Sequence, residues 1–203
     1  MKYRPFGNLG WQVSALGFGA MRLPVIDNDQ SKIDEPEAIK MIRHAIDQGV
    51  NYVDTAFPYH AGNSELLVAK ALQDGYRKKV KIATKMPTWM IQKKEDFDTY
   101  LNQQQEKLQT DCIEFYMAHG LNKDRWPAML ELGITEWAEK AKADGRIEYF
   151  GFSFHDDYDC FKDIIDGYSK WDFTQVQYNY IDTEFQAGTR GVKYAADKGV
   201  AVI

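Results

Sequence analysis

Asn51-Tyr-Val-Asp-Thr-Ala-Phe-Pro-Tyr59 is a short apolar run, centred on Tyr52 and Val53, that stops at Asp54. Such a run reads as a buried strand. Asp54 marks the point where that strand should meet solvent, and Tyr59 follows in the exit loop. The same event recurs downstream: Val80-Lys-Ile-Ala-Thr-Lys85 ends on a lysine, and Ile113-Glu-Phe-Tyr-Met-Ala-His119 ends on a histidine. Three consecutive strands thus each deliver one ionisable group to one rim, which is where barrel enzymes carry their chemistry.

Working outward, the rest of the chain alternates in the same way. Residues 2–14 carry turn signals at Asn8-Leu9-Gly10 between short alternating pieces, which predicts a small hairpin plugging one end of the strand–helix domain. Predicted strands start near 15, 51, 80, 113, 148, 173 and 200, about one every thirty residues, the period of a strand–helix repeat. The intervening helices present apolar faces. These are Ala38, Ile39, Ile42, Ala45 and Ile46; Leu66, Ala69 and Leu72; Phe97, Leu101 and Leu108; Leu130, Ile134, Trp137 and Ala141; Phe161, Ile164 and Ile165; and Val192, Ala195 and Ala196. The sixth strand is read as Phe173 to Asn179. Gly17-Phe-Gly-Ala-Met-Arg22 is not a dinucleotide loop, because a GxGxxG motif must open a helix and Leu23-Pro24 comes next instead.

Parallel strands joined by helices make either an open doubly wound sheet or a closed barrel. Reactive side chains at the ends of several successive strands favour the barrel, since an open sheet concentrates its site at one switch point. The expected fold is therefore α/β, a (β/α)8 TIM barrel preceded by a β-hairpin. The chain is read as one domain, 1–203. Because Val200-Ala-Val-Ile203 opens only a seventh strand and would leave bare sheet edges, the barrel is expected to be incomplete and C-terminally truncated.

With 203 residues, 44% of them hydrophobic and 27% charged, the chain can bury a full core in one domain. A net charge of -5 gives no general basic surface, which argues against nucleic acid as a partner. No apolar run has transmembrane length, and the N-terminus lacks the core of a signal peptide, so no membrane partner is expected. Cys112 and Cys160 show neither CxxC nor zinc spacing. Both are read as packing residues, and their scarcity suits a reducing, cytoplasmic setting.

Asp54, Tyr59, Lys85 and His119 on one rim suit proton transfer to an oxygen. An ammonium beside a phenol favours the phenolate, a carboxylate pairs the buried ammonium, and an imidazole can hold a carbonyl oxygen. Two other chemistries stay open on the residues alone. Lys85 could form a Schiff base, and Asp54, His60, His119 and His155 could gather a metal. No HxH pair occurs, however, and His60 and His155 are expected in solvated loops, so no metal site is assigned. Phe57, Trp89 and Met90 follow the second and third strands, either as a pocket wall or as loop packing. Trp11, Trp126, Trp137 and Trp171 are read as structural. The residues do not set the oligomeric state.

The combination of motifs resembles the aldo-keto reductase family. It comprises Leu16-Gly-Phe-Gly19, Val53-Asp-Thr-Ala56 with Tyr59, Gly62-Asn-Ser-Glu65, Ala83-Thr-Lys85, His119, Gly151-Phe-Ser153 and Gln175-Val-Gln-Tyr-Asn179. The resemblance implies a barrel that uses NADPH, or NADH, to interconvert small carbonyl compounds and alcohols. It makes Tyr59 the general acid, Lys85 and Asp54 its tuning pair, and His119 the orienter of the carbonyl. Ser153 and Gln177 are implied to hold the nicotinamide carboxamide, with Ala20, Met21 and Arg22 touching the cofactor. Phe154 stands where many members carry asparagine. Gly151-Phe-Ser-Phe-His-Asp156 and Tyr178-Asn-Tyr-Ile-Asp182 are similar to a bacterial branch whose longer members add a ferredoxin-like domain. An iron-sulfur cluster is implied only if a longer chain carries that domain. A non-catalytic cofactor-sensing or interaction subunit of the same fold is the alternative. By the resemblance, the strand and loops that bind the rest of the cofactor lie outside these residues, so this chain alone is expected to bind NADPH weakly or not at all.

Overall fold

Parallel strands cannot be joined by tight turns, so each pair needs a long crossover, and helices supply it here. The computed structural model describes residues 1–203. A hairpin comes first, β1 (Tyr3–Pro5) antiparallel to β2 (Gln12–Ser14). Seven strands then pair in sequence order, all parallel: β3 (Phe18–Gly19), β4 (Tyr52–Asp54), β5 (Lys81–Met86), β6 (Ile113–Leu121), β7 (Ile147–Phe154), β8 (Phe173–Val176) and β9 (Ala201–Val202). The helices between them are α1 (Glu35–Asp47), α2 (Ser64–Ala71), α3 (Glu95–Leu108), α4 (Arg125–Glu131), α5 (Ile134–Ala143), α6 (Tyr158–Gly167) and α7 (Gly188–Asp197).

The sheet curls. Phe115 of β6 lies 5.3 Å, ring to ring, from Tyr52 of β4 and 5.2 Å from Phe173 of β8, and Phe6 of the hairpin touches all three. Residues two strands apart meet this way only on the concave face of a curved sheet. The expected barrel is therefore present as a seven-stranded part-barrel, with β3 and β9 as its edges. The hairpin plugs the end where the strands begin. Its tip is tied down by the Tyr149 hydroxyl, which donates to the Leu9 carbonyl at 3.0 Å. Gly7, at φ +51, lies so close to β9 that a Cβ there would come within 2.8 Å of the Ala201 Cβ.

Strand alternation sorts the apolar residues into two clusters. Tyr52, Ala83, Phe115, Met117 and Phe173 face the concave side with Phe6 and Ala201. Val53, Ile82, Tyr116, Phe150, Phe152 and Phe154 face outward and pack with helix residues such as Ile42, Phe97, Leu101, Trp137 and Phe161. Helix α1 shows how local sequence sets an element. Asp34 caps it by accepting from the Glu37 N–H, Pro36 sits in the first turn, and Ala38, Ile42 and Ile46 form the buried face.

Several sequence expectations shift. In α2 Leu66 is exposed, because Ser64 and Glu65 turn inward and the buried face passes through Leu67 and Val68. The fourth predicted helix is two helices, broken at Gly133 (φ +80), which leaves Leu130 exposed on α4. The buried face of α7 consists of Gly188, Gly191 and Ala195, with Ala196 exposed; Gly191 has no room for a Cβ beside Ala187. Strand β8 ends at Val176 rather than Asn179. No helix is long and apolar enough to cross a membrane.

Candidate active site

All seven parallel strands run toward the same rim, so the residues after each apolar stretch collect there. A cavity of about 260 Å³ opens at this end, lined by Asp54, Tyr59, Lys85 and His119 together with Met21, Ser153, His155, Gln175, Val176 and Gln177. The four residues predicted to act together are thus brought together.

Lys85 is the buried centre, 2% exposed. Its ammonium donates to both Asp54 carboxylate oxygens, at 2.7 and 2.8 Å, and to the Thr55 carbonyl at 2.8 Å. Its three protons are thereby used, which is what a buried cation requires. Asp54 does not meet solvent as its sequence position suggested; it is 8% exposed. Burial pushes its carboxyl above the usual range, while the Lys85 charge and hydrogen bond pull it back, aided by the Gln175 amide. The Tyr59 ring centroid lies 5.1 Å from the Lys85 nitrogen and 6.1 Å, edge-on, from the His119 ring.

His119 sits where the β6–β7 register shifts between Ala118 and Leu121, a bulge that re-aims the end of the strand. Burial, then the positive charges of Lys85, His155 and Arg125, holds its imidazole down at about 3, against an ordinary 6.5. It is therefore neutral at physiological pH. Its Nδ1 is buried and meets no protein partner.

The exit loop of β4 is built tightly. His60 and Ala61, directly after Tyr59, both adopt left-handed backbone, φ +53 and +55, a conformation that costs L-residues about 1–2 kcal/mol each. The turn sends His60 inward rather than into a solvated loop. Its Nε2 accepts from the Leu23 N–H at 3.1 Å and its Nδ1 donates to the Gln30 carbonyl at 3.0 Å. His60 thereby pins the loop that carries Met21. His155 is exposed, as expected.

Beneath Lys85 lies a polar network that sequence reasoning did not find. Glu65, fully buried, accepts from the Thr84 hydroxyl at 2.7 Å and the Gln104 amide at 2.5 Å. Gln104 also donates to the Lys85 carbonyl at 3.1 Å and accepts from the Tyr116 hydroxyl at 2.7 Å. Burial raises the Glu65 carboxyl, with Gln104, Thr84 and then Lys107 opposing. A glutamate in a first helical turn reads as an ordinary N-terminal charge, so only its burial reveals the network.

The Ser153 hydroxyl oxygen accepts from the Gly120 N–H at 2.8 Å, which leaves its own hydrogen free. The Gln177 Oε1 is buried without a partner at the rim. These two groups and the His119 Nδ1 are unspent polar capacity in one cavity, as a site for a polar heterocycle with a carboxamide needs. Met21 lines the cavity. Ala20 is fully buried, its carbonyl taken by the Ser64 hydroxyl, and Arg22 is exposed; neither lines the cavity. Phe154 faces outward and packs on Phe161, ring to ring at 5.0 Å. Phe57 packs edge-on against Tyr100, and Trp89, 45% exposed, lies 5.0 Å from the His119 ring.

Residues 15–203 match the model of the Aldo/keto reductase family. The chain belongs to the aldo/keto reductase family. A Glycine max protein named "Probable aldo-keto reductase 1" is 31% identical over 159 residues, covering 72% of this chain and 43% of that protein. Among solved structures, the holo form of an aldo-keto reductase from Bacillus halodurans superposes with a TM-score of 0.79 at 28% identity, over 100% of this chain and 65% of that one. An aldo-keto reductase from Klebsiella pneumoniae in complex with NADPH superposes at 0.77 and 22% identity, over 99% and 66%, a likeness of fold. The chain thus spans under half of the curated relative and about two thirds of these aldo/keto reductase structures.

Proposed function

We propose that this aldo/keto reductase chain carries the catalytic half of an NADPH-dependent carbonyl reductase. One observation carries the reading: Tyr59, the Lys85–Asp54 ion pair and the neutral His119 share one cavity wall. In this reading Tyr59 donates a proton to the carbonyl oxygen as it becomes an alcohol. The Lys85 ammonium stabilises the negative charge left on the phenol, and Asp54 holds that ammonium in place. His119, held neutral, orients the carbonyl oxygen by hydrogen bonding rather than by giving up a charge. Ser153 and Gln177 would hold the carboxamide of a nicotinamide and Met21 would flank it, whereas Ala20 and Arg22, which do not line the cavity, take no part in this reading. When bound, that cofactor supplies the hydride that the carbonyl carbon needs.

The geometry weighs against the other chemistries. An ammonium with three acceptors is a poor Schiff-base nucleophile, and His60 has spent both ring nitrogens on backbone groups, away from any shared ligand set. The finer assignment, to the bacterial branch with an iron-sulfur domain, is supported only by the sequences Gly151–Asp156 and Tyr178–Asp182; iron analysis of the full-length protein tests it. The reductase reading is tested by following NADPH oxidation with a generic aldehyde. Turnover in the full-length protein that falls about 10²–10⁴-fold in Tyr59→Phe is the expected result. NADPH binding without turnover would instead mark a cofactor-sensing subunit.

A further inference from the structure

The rings of the site form a chain that continues past the reacting groups. Tyr59 meets His119 at 6.1 Å, His119 meets the Trp89 indole at 5.0 Å, and the Arg125 guanidinium lies 5.5 Å from the same indole. Arg125 is held in place by one side-chain bond, from Nη1 to the Gly120 carbonyl at 2.8 Å, while its backbone N–H is fixed by Asn122. Gly120 follows His119, and its own N–H is held by Ser153, so the guanidinium is tied to the rim through the residue beside the imidazole. The arrangement is close: a Cβ on Gly120 would come within 3.2 Å of Nη1. Nε and Nη2 meet no protein acceptor, and no carboxylate pairs with this arginine. The cavity wall holds the Lys85–Asp54 ion pair, and its carboxylate is spent on Lys85. An arginine without a counter-ion, one exposed indole away from a carbonyl-handling pair, is arranged to meet an anion that arrives with the substrate.

Resting on the reductase reading above, we propose that the substrate is an aldehyde or ketone bearing a carboxylate. Its carbonyl sits at Tyr59 and His119, its apolar middle lies against Trp89, and its carboxylate takes the free edge of Arg125. The two parallel N–H groups of Nε and Nη2 match a carboxylate fork, and the planar guanidinium stays charged at any working pH.

The test compares 4-carboxybenzaldehyde with benzaldehyde in the full-length protein. We expect kcat/KM to favour the carboxylated aldehyde at least about tenfold, mainly through KM, and the preference to shrink with added salt. Arg125→Gln should bring the ratio of the two kcat/KM values close to one, and Arg125→Lys should retain part of it. Reading a ratio separates loss of recognition from general damage to the fold. Tryptophan fluorescence titration with the product 4-(hydroxymethyl)benzoate gives a second readout without turnover, and Arg125→Gln should weaken that binding about tenfold. Turnover of both aldehydes with equal kcat/KM, or a ratio that Arg125→Gln leaves unchanged, overturns this inference and leaves the reductase reading standing. Arginine-dependent binding of the product without turnover of either aldehyde counts against the reductase reading and supports the anion site. Neither binding nor turnover defeats both.

Discussion

At the hairpin end of the barrel Tyr52, Phe115 and Phe173 pack around Phe6; two or four residues further along the same strands, Asp54, His119 and Gln175 line a polar cavity. Both sets lie on the concave face, because every second residue of a strand points the same way. The floor is held by ring contacts, five of them to Phe115 from Phe6, Trp11, Tyr52, Tyr149 and Phe173. The rim is held by a buried ion pair and is left with unpartnered polar atoms on His119 and Gln177. One end therefore contributes stability and the other holds chemistry that is unsatisfied until something binds. Between them lies Gly151, where a Cβ would come within 2.3 Å of the Phe173 carbonyl, so that position has no space for a side chain.

The largest effect should come from the rim. Lys85→Met leaves Asp54 buried and unpaired, and urea denaturation should show a loss of about 3–5 kcal/mol, much of it recovered in the Asp54→Leu/Lys85→Met double variant. No recovery would mean that the rim is held by packing, as the floor is. Phe115→Ala should cost a similar or slightly smaller amount, about 3–5 kcal/mol, through loss of ring contacts and a cavity that the curved sheet cannot close. Here Phe115→Leu should recover most of the loss, since only volume is at stake; a cost below about 1 kcal/mol for Phe115→Ala would show that the floor is loosely packed.

A smaller effect concerns pH. His119 binds its proton in the folded chain only near about 3, against 6.5 when free, so between those values the unfolded chain holds more protons. Stability from this group is complete above 6.5 and is lost as pH falls toward about 3, with a slope of at most about 1.4 kcal/mol per pH unit. Stability measured against pH should fall less steeply over this window in His119→Gln; identical slopes would mean that the imidazole is solvated. The smallest effect belongs to the floor, where the Tyr52 hydroxyl is buried without a partner. Tyr52→Phe should leave stability unchanged or raise it by about 1 kcal/mol, read from the urea midpoint. A clear loss would mean that the floor, like the rim, uses its polar atoms.

Much of this organisation was legible in the chain. The apolar runs that end on Asp54, Lys85 and His119 identified three strands and their reactive ends, and the thirty-residue period located the helices, because burial on both faces of a parallel sheet writes itself as short continuous runs. What stayed hidden depended on partners distant in sequence. Glu65 stood only as the last residue of a motif and His60 as a loop residue until Gln104 and Thr84, Leu23 and Gln30, closed around them. Leu66 and Ala196 were misplaced because a helix with apolar residues on several faces takes its phase from the surface it meets. Single strands thus determined by themselves where each reactive side chain would emerge, since alternation and strand length are local properties. Only the curvature of the sheet decided which of those side chains share a cavity, because distances across a barrel are set by all its strands at once.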